Sequence, residues 1–374
     1  MLKVNAHIHT PYSFSSFSSV EEAVAMAKRE DIGILGVNDF FTTEAYEEFE
    51  RQCRQAKIYP LFNIEFIGVD KTFKEKGWRI NDPSNVGRIY FCGKGLSFPV
   101  SMSEHSESVM RRVQHGSNEH VKMMIAKCNQ YFNEQGIDLR LDFEHIKKTL
   151  AKNLVRERHL AKVIRQYGYG LCESASERKS FLQKLYAGKE SKADVNDESA
   201  AENEIRNMLL KSGGACFVQE NENAFLSWDE IISLILDAGG IPCYPMLLDF
   251  HGNFTEFEKD WEQVHEVLSA RHVRCVELIP SRNEAEQTEK FVKFFTDKKY
   301  LVLFGTEHNT PSMPPLTVPI ADELQKLSYK NACVVAAHQQ LKREGGEGFL
   351  NREHIPKTES IEELSALGDR IVSK

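Results

Sequence analysis

A chain of 374 residues with 41% hydrophobic and 27% charged content has material for a large core split over two structural units. Its formal charge of −8 gives no electrostatic footprint for duplex nucleic acid or an anionic membrane, and leaves room only for a local basic pocket around a small ligand. No apolar run approaches the ~18 residues of a spanning helix, no signal-peptide pattern opens the chain, and the eight cysteines form no C-x-x-C pair. A cytoplasmic protein with reduced thiols is expected.

The chain begins with a short apolar run, LKV, followed by NAHIHTPYS over residues 5–13. In a strand, residues i and i+2 share a face, so His7 and His9 project side by side from a strand end, a geometry that suits two metal ligands. Ser19 and Glu22 form a capping box, and Val20, Ala23, Val24 and Ala27 follow helical spacing. IGILGVND (32–39) reads as a buried strand. Thr43 is expected to cap a helix that places Ala45, Tyr46, Phe49, Cys53 and Ala56 on one face. IYPLFNIEF (58–66) and VGRIYFCGKG (86–95) are two more strands. Units this short imply βαβ crossovers and a parallel sheet or barrel.

From 101 to 225 the texture turns to Lys, Glu, Arg, Gln and Ser with helical periodicity. RERHLAKVIRQYG (156–168) reads as a helix stopped by Gly168, and residues 189–204 as a polar loop entering a helix. At 228–245 a helix, a Gly-Gly stop and a strand follow. VRCVELIP (273–280) and KYLVLFGTEHN (299–309) are further strands. The tail after 318 is mostly helical. The expected organisation is a discontinuous barrel of residues 1–100 and 226–318, a helical insertion or cap over 101–225, and a helical extension over 319–374.

Four stretches fall where βα-barrel chemistry sits, at the C-terminal ends of strands: His7/His9, Asp39, Glu65 and Glu307-His308. Two histidines and two carboxylates make a set for a hard-to-borderline metal ion.

These stretches carry a resemblance. HIHTPYSFSSFSSVEEAVAMAKREDIGILGVND is similar to the first two motifs of the PHP (polymerase and histidinol phosphatase) superfamily, H-x-H-T and T-D-H. NIE resembles its glutamate motif, and FGTEHN its final G-S-D-x-H. VRERHLAKVIRQYG, followed later by AGGIPCYP, resembles the branch of small phosphoesterases with a helical insertion, which includes nucleoside 3′,5′-bisphosphate phosphatases. The resemblance implies a distorted (β/α)7, TIM-like barrel, and a first metal held by His7, His9, Glu65 and Glu307. Zn, Mn or Fe would serve, and one tightly bound ion is expected.

The departures are specific. Phe40 and Asn309 stand where the family has third-metal histidines, and Tyr90 and Tyr244 stand where it has second-metal histidines. Cys243, His251 and His308 are substitutes by proximity. Tyr90 and Tyr244 then become hydrogen-bond donors to phosphate, joined by Arg158, His159 and Arg282, while Asp39 and His308 take the catalytic roles. The implied activity is a metal-dependent phosphoesterase in which metal-bound hydroxide attacks a small phosphorylated metabolite or nucleotide. The alternative is a degenerate barrel that binds a ligand or partner without turnover, and C–N bond hydrolysis on the same barrel is a third reading.

Overall fold

The computed structural model describes residues 1–152, 154–221, 225–250 and 252–374. Strand β1 (Lys3–Ile8) leads into α1 (Val20–Arg29), whose first turn is capped by the Ser19 hydroxyl accepting from the Glu22 amide at 3.0 Å. Strand β2 (Ile32–Phe40), helix α2 (Tyr46–Ala56) and strand β3 (Tyr59–Val69) complete two parallel crossovers. The α2 start differs from the expected one. Ala45 is the cap residue and makes no side-chain cap bond, while the Thr43 carbonyl accepts from the Tyr46 amide.

The connection after β3 holds only the five-residue α3 (Lys71–Glu75), and β4 (Arg88–Lys94) returns antiparallel to β3. With β4 reversed, the chain leaves it heading away from the ends of β1–β3. Helix α4 (Glu104–Glu134) carries the chain back. At ~1.5 Å per residue its 31 residues span about 46 Å. Met110 and Val113 pack on the barrel, Gln114 donates to the Phe41 carbonyl just past β2, and Val121 to Phe132 enter a second hydrophobic core. That core also takes α5 (Phe143–Ile146), α6 (Glu157–Gly170), α7 (Ala175–Leu185) and α8 (Glu198–Ile205). Gly168 does not end α6. It lies inside the helix, where an added Cβ would sit 2.0 Å from the Phe181 ring.

Helix α9 (Trp228–Asp237), strand β5 (Ile241–Pro245), α10 (Trp261–Ser269), β6 (Cys275–Leu278), α11 (Ala285–Asp297) and β7 (Leu301–Phe304) finish the sheet, followed by α12 (Asp322–Arg343) and α13 (Ile361–Val372). Strand order is β1 to β7, with β4 antiparallel to both neighbours and the other pairings parallel. Just past β7, Glu307 bridges Ile8 of β1, with the Glu307 amide donating to the His7 carbonyl and the His9 amide to the Glu307 carbonyl, each at 2.9 Å. The sheet thereby nearly closes into an α/β barrel.

Alternation along the strands divides the molecule radially. Val37, Phe62, Phe91, Tyr244, Val276 and Phe304 face the surrounding helices. Ile34, Leu61, Cys243, Cys275 and Leu303 point inward and build an apolar floor with the Ala332–Ala337 stretch of α12. Gln339 of α12 binds β3 on both sides of its amide, accepting from Phe62 N and donating to Pro60 O. The floor leaves the upper interior to polar side chains. Among the described residues no helix is long and apolar enough to cross a membrane.

Candidate metal centre

The register of β1 against β2 breaks between Asn5 and Ile8, where β1 carries one extra residue. Such bulges re-aim side chains. Here Ala6 belongs to the floor, Ile8 packs outward, and His7 and His9 both turn into the barrel. Gly305 permits the fit, since a Cβ there would lie 2.3 Å from the His7 Cβ.

His7 Nε2, His9 Nε2 and Glu65 Oε2 form a nearly equilateral triangle with edges of 3.3, 3.4 and 3.4 Å, and all three residues are buried. A tetrahedral zinc ion with bonds of ~2.05 Å needs ligand–ligand edges of about 3.3–3.4 Å, so the donor set and its spacing fit a divalent ion.

His7 Nδ1 lies 2.8 Å from Glu277 Oε2. A carboxylate only accepts, so the proton belongs on Nδ1 and Nε2 is left as the ligand atom. Burial lowers the pKa of this imidazole, but the Glu277 charge and hydrogen bond outweigh it and raise the value to about 9. His9 is held well below the ordinary range by burial and by His7, and so stays neutral. Its ring stacks on Phe40 at 4.9 Å, and its Nδ1 is buried without a hydrogen-bond partner.

Glu277 also accepts from Lys94 Nζ at 2.6 Å, and Lys94 reaches Asn38 Oδ1 at 3.0 Å. Asn38 Nδ2 lies 3.1 Å from His7 Nε2 and 3.4 Å from both Glu65 Oε2 and the Cys92 sulfur. Burial opposes the Lys94 charge, yet Glu277 holds its pKa above the usual lysine value. Burial likewise opposes the Glu277 charge, but Lys94 and His7 pull that carboxyl down to about 2. The upper interior is therefore one network of β1, β2, β3, β4 and β6 side chains.

The PHP domain family model matches residues 5–278. This chain belongs to the PHP domain family. Its fold is similar to that of a protein of Bifidobacterium adolescentis described as a candidate metal-dependent phosphoesterase, with a TM-score of 0.57 and 14% identity over 86% of this chain and 94% of that one. It is also similar to an amidohydrolase of Chromobacterium violaceum solved with sulfate and no metal, with a TM-score of 0.54 and 14% identity over 87% of this chain and 96% of that one. No curated protein matches the chain significantly.

The remaining sequence-expected residues divide between the barrel mouth and other duties. Glu307 does not join the triangle. The chain turns left-handed there (φ 66°), and both carboxylate oxygens pair with the Arg282 guanidinium, one of them also accepting from Asn309 at 2.6 Å. Its charge still reaches His9 and Glu65. His308 ties a loop: its ring nitrogens meet the Thr306 hydroxyl at 2.9 Å and the Pro314 carbonyl at 2.8 Å, and its ring stacks on Phe17. Asp39 points away from the barrel interior and anchors the chain after β1, accepting from the Thr10 amide at 2.8 Å and the Ser13 hydroxyl at 2.7 Å.

Tyr244 also faces outward. It stacks on Trp228 and donates to Glu258 at 2.7 Å, because residues on a strand alternate faces and its neighbour Cys243 takes the inward position. Cys243 itself sits in the floor beside Cys275, where burial pushes its thiol pKa well up. His159 closes the first turn of α6, accepting at Nδ1 from the Arg156 amide at 2.9 Å. His251 lies outside the described residues.

Tyr90 is two residues nearer the mouth than Cys92 on β4, 6.2 Å ring to ring from Phe40. Arg156 lies over Phe40 and Arg158 over Phe14, at 5.0 and 5.6 Å. Arg158 makes no ion pair among the described residues; its one side-chain hydrogen bond is to Asn203 at 3.3 Å. Burial and the Arg206 charge bring its pKa down to about 10.

Sequence reading passed over Asn38, Cys92, Lys94 and Glu277. The signal was a charged residue inside an apolar strand, in YFCGKG and in CVEL.

Proposed function

We propose that this PHP-domain protein is a metal-dependent phosphoesterase acting on a small phosphorylated metabolite or nucleotide, with one divalent ion at His7, His9 and Glu65. The observation that carries the reading is the donor triangle, whose edges match a tetrahedral ion and which leaves the fourth ligand position to water or a phosphate oxygen. Zn, Mn or Fe bound there supplies Lewis acidity and a water acidified for attack on phosphorus.

The chain supplies the rest. Glu277 fixes the His7 tautomer, and Phe40 holds the His9 ring by stacking. Arg158, beside the Arg206 charge and in no ion pair among the described residues, receives an anionic group. Arg282 is paired with Glu307, so it contributes to phosphate only by exchanging that partner. Residues 101–225 act as a cap whose α6 end brings Arg156 and Arg158 over the Phe40 and Phe14 rings.

A second reading, a barrel that binds without turnover, is favoured by one observation: Arg282 and Asn309 already satisfy Glu307. One assay separates the two. The full chain, loaded with Zn²⁺ or Mn²⁺, is tested for phosphate release against phosphomonoesters and nucleoside bisphosphates, with His7→Ala as control. Metal-dependent release lost in His7→Ala supports the phosphoesterase. Tight metal and phosphate binding with no release from any substrate supports the second reading.

A further inference from the structure

Two groups of metal-ligating side chains share His7: the triangle with His9 and Glu65, and a second set of His7, Cys92 and Glu277. The second set already has its cation. We propose that Lys94 is a built-in substitute for a second metal ion, and that it reserves Glu277 as the positioning residue for His7. This rests on the metal centre proposed above.

The geometry separates the two groups. In the triangle every edge is 3.3–3.4 Å, the spacing of atoms that share an ion without bonding each other. In the second set His7 Nδ1 and Glu277 Oε2 are 2.8 Å apart, too close for two ligands of one ion and right for a hydrogen bond. Glu277 has no oxygen to spare. Oε2 holds His7, and Oε1 accepts from Lys94 Nζ at 2.6 Å. The ammonium is itself fixed, by Asn38 Oδ1 at 3.0 Å, and the Lys94 side chain is fully buried. Asn38 then reaches Glu65 and His7 through its other amide atom, so the ammonium and the triangle are braced by one side chain. Cys92 completes the set with a sulfur 3.8 Å from Glu277, its approach to the carboxylate already shared with Asn38.

Charge gives the same answer. Lys94 neutralises Glu277 inside the barrel. A divalent ion arriving at Glu277 would meet an ammonium that cannot leave, because apolar floor lies beneath it and strands surround it. Removing the ammonium would uncover a carboxylate oxygen and an amide oxygen at one spot, with the Cys92 sulfur beside the other atoms of the same two groups, a set that takes a divalent ion.

Zinc stoichiometry tests this without an activity readout. The metal-stripped full chain is dialysed against Zn²⁺, and elemental analysis and anomalous scattering count and place the ions. Wild type should bind one ion at His7, His9 and Glu65. Lys94→Ala should bind two, the second on Glu277, and Lys94→Ala/Glu277→Gln should return to one. Two ions in wild type, or one in a folded Lys94→Ala, overturns the proposal while leaving the metal centre intact. No ion in wild type overturns the metal centre and the proposal together. Should Lys94→Ala fail to fold, Lys94→Met/Glu277→Gln removes both charges at once. It should still bind one ion, with affinity reduced by about 10–100-fold because the acceptor on His7 Nδ1 has lost its negative charge. Unchanged affinity would refute the positioning role of Glu277.

Discussion

Replacing Glu65 with Gln removes one corner of the triangle and one buried negative charge. The side chain is 5% exposed, and burial, joined by the Glu307 and Glu277 charges, raises the pKa of its carboxyl above the usual range against the pull of His7. Burying a carboxylate is unfavourable without strong partners, and here the partners are two imidazoles 3.4 Å away and an amide at the same distance. The metal-free Glu65→Gln chain should therefore be at least as stable as the metal-free wild type. The difference emerges with metal. At a free concentration 100 times its Kd, an ion bound only by the folded state adds ~2.7 kcal/mol. With ~2.1 cal/mol/K of unfolding entropy per residue, 374 residues give about 0.8 kcal/mol/K. Wild type should thus gain about 3 °C in Tm on adding Zn²⁺, and more at higher excess. Glu65→Gln, left with two histidines, should gain less than 1 °C at the same concentration. Paired thermal unfolding scans of both chains with EDTA and with Zn²⁺ measure the increment directly. A variant that keeps the full metal-dependent gain would show that Glu65 is no ligand.

His338, fully buried between the Gly239 carbonyl at 2.8 Å and the Phe349 amide at 3.0 Å, has its pKa lowered by burial to about 3. Its folded value lies below the unfolded one of ~6.5, so its contribution is present above pH 6.5 and is lost as pH falls towards 3. Urea unfolding at pH 7.5 and pH 5 should show a loss of stability on acidification about 2 kcal/mol smaller in His338→Gln than in wild type; equal losses would refute it. Tyr244→Phe removes a donor from the buried Glu258 and should cost ~1–3 kcal/mol in denaturant unfolding while leaving zinc affinity and turnover unchanged. A loss of activity at preserved stability would return Tyr244 to the site.

Much of this molecule is readable from one dimension. The strand positions around 3–8, 32–40, 59–69 and 88–94, the capped α1 and the helical texture after 101 all follow from local periodicity and capping chemistry, which depend on neighbours a few residues away. The His7/His9 pair and Glu65 were legible for the same reason: their i, i+2 spacing and strand-end position are local properties. The facing of β5 was not. On a five-residue strand a one-residue slip exchanges Tyr244 with Cys243, and only pairing with β4 and β6 settles which of them points inward. The ion pairs lay further out of reach. Lys94 meets Glu277 across 183 positions of sequence, and nothing in YFCGKG or CVEL names the other as partner. Glu307 carries the carboxylate that a metal site wants, yet the turn past β7 delivers it to Arg282, a residue 25 positions away. Local spacing writes which side chains can be ligands; barrel closure, by bringing β1, β4, β6 and the end of β7 to one axis, chooses which of them meet and which are already spoken for.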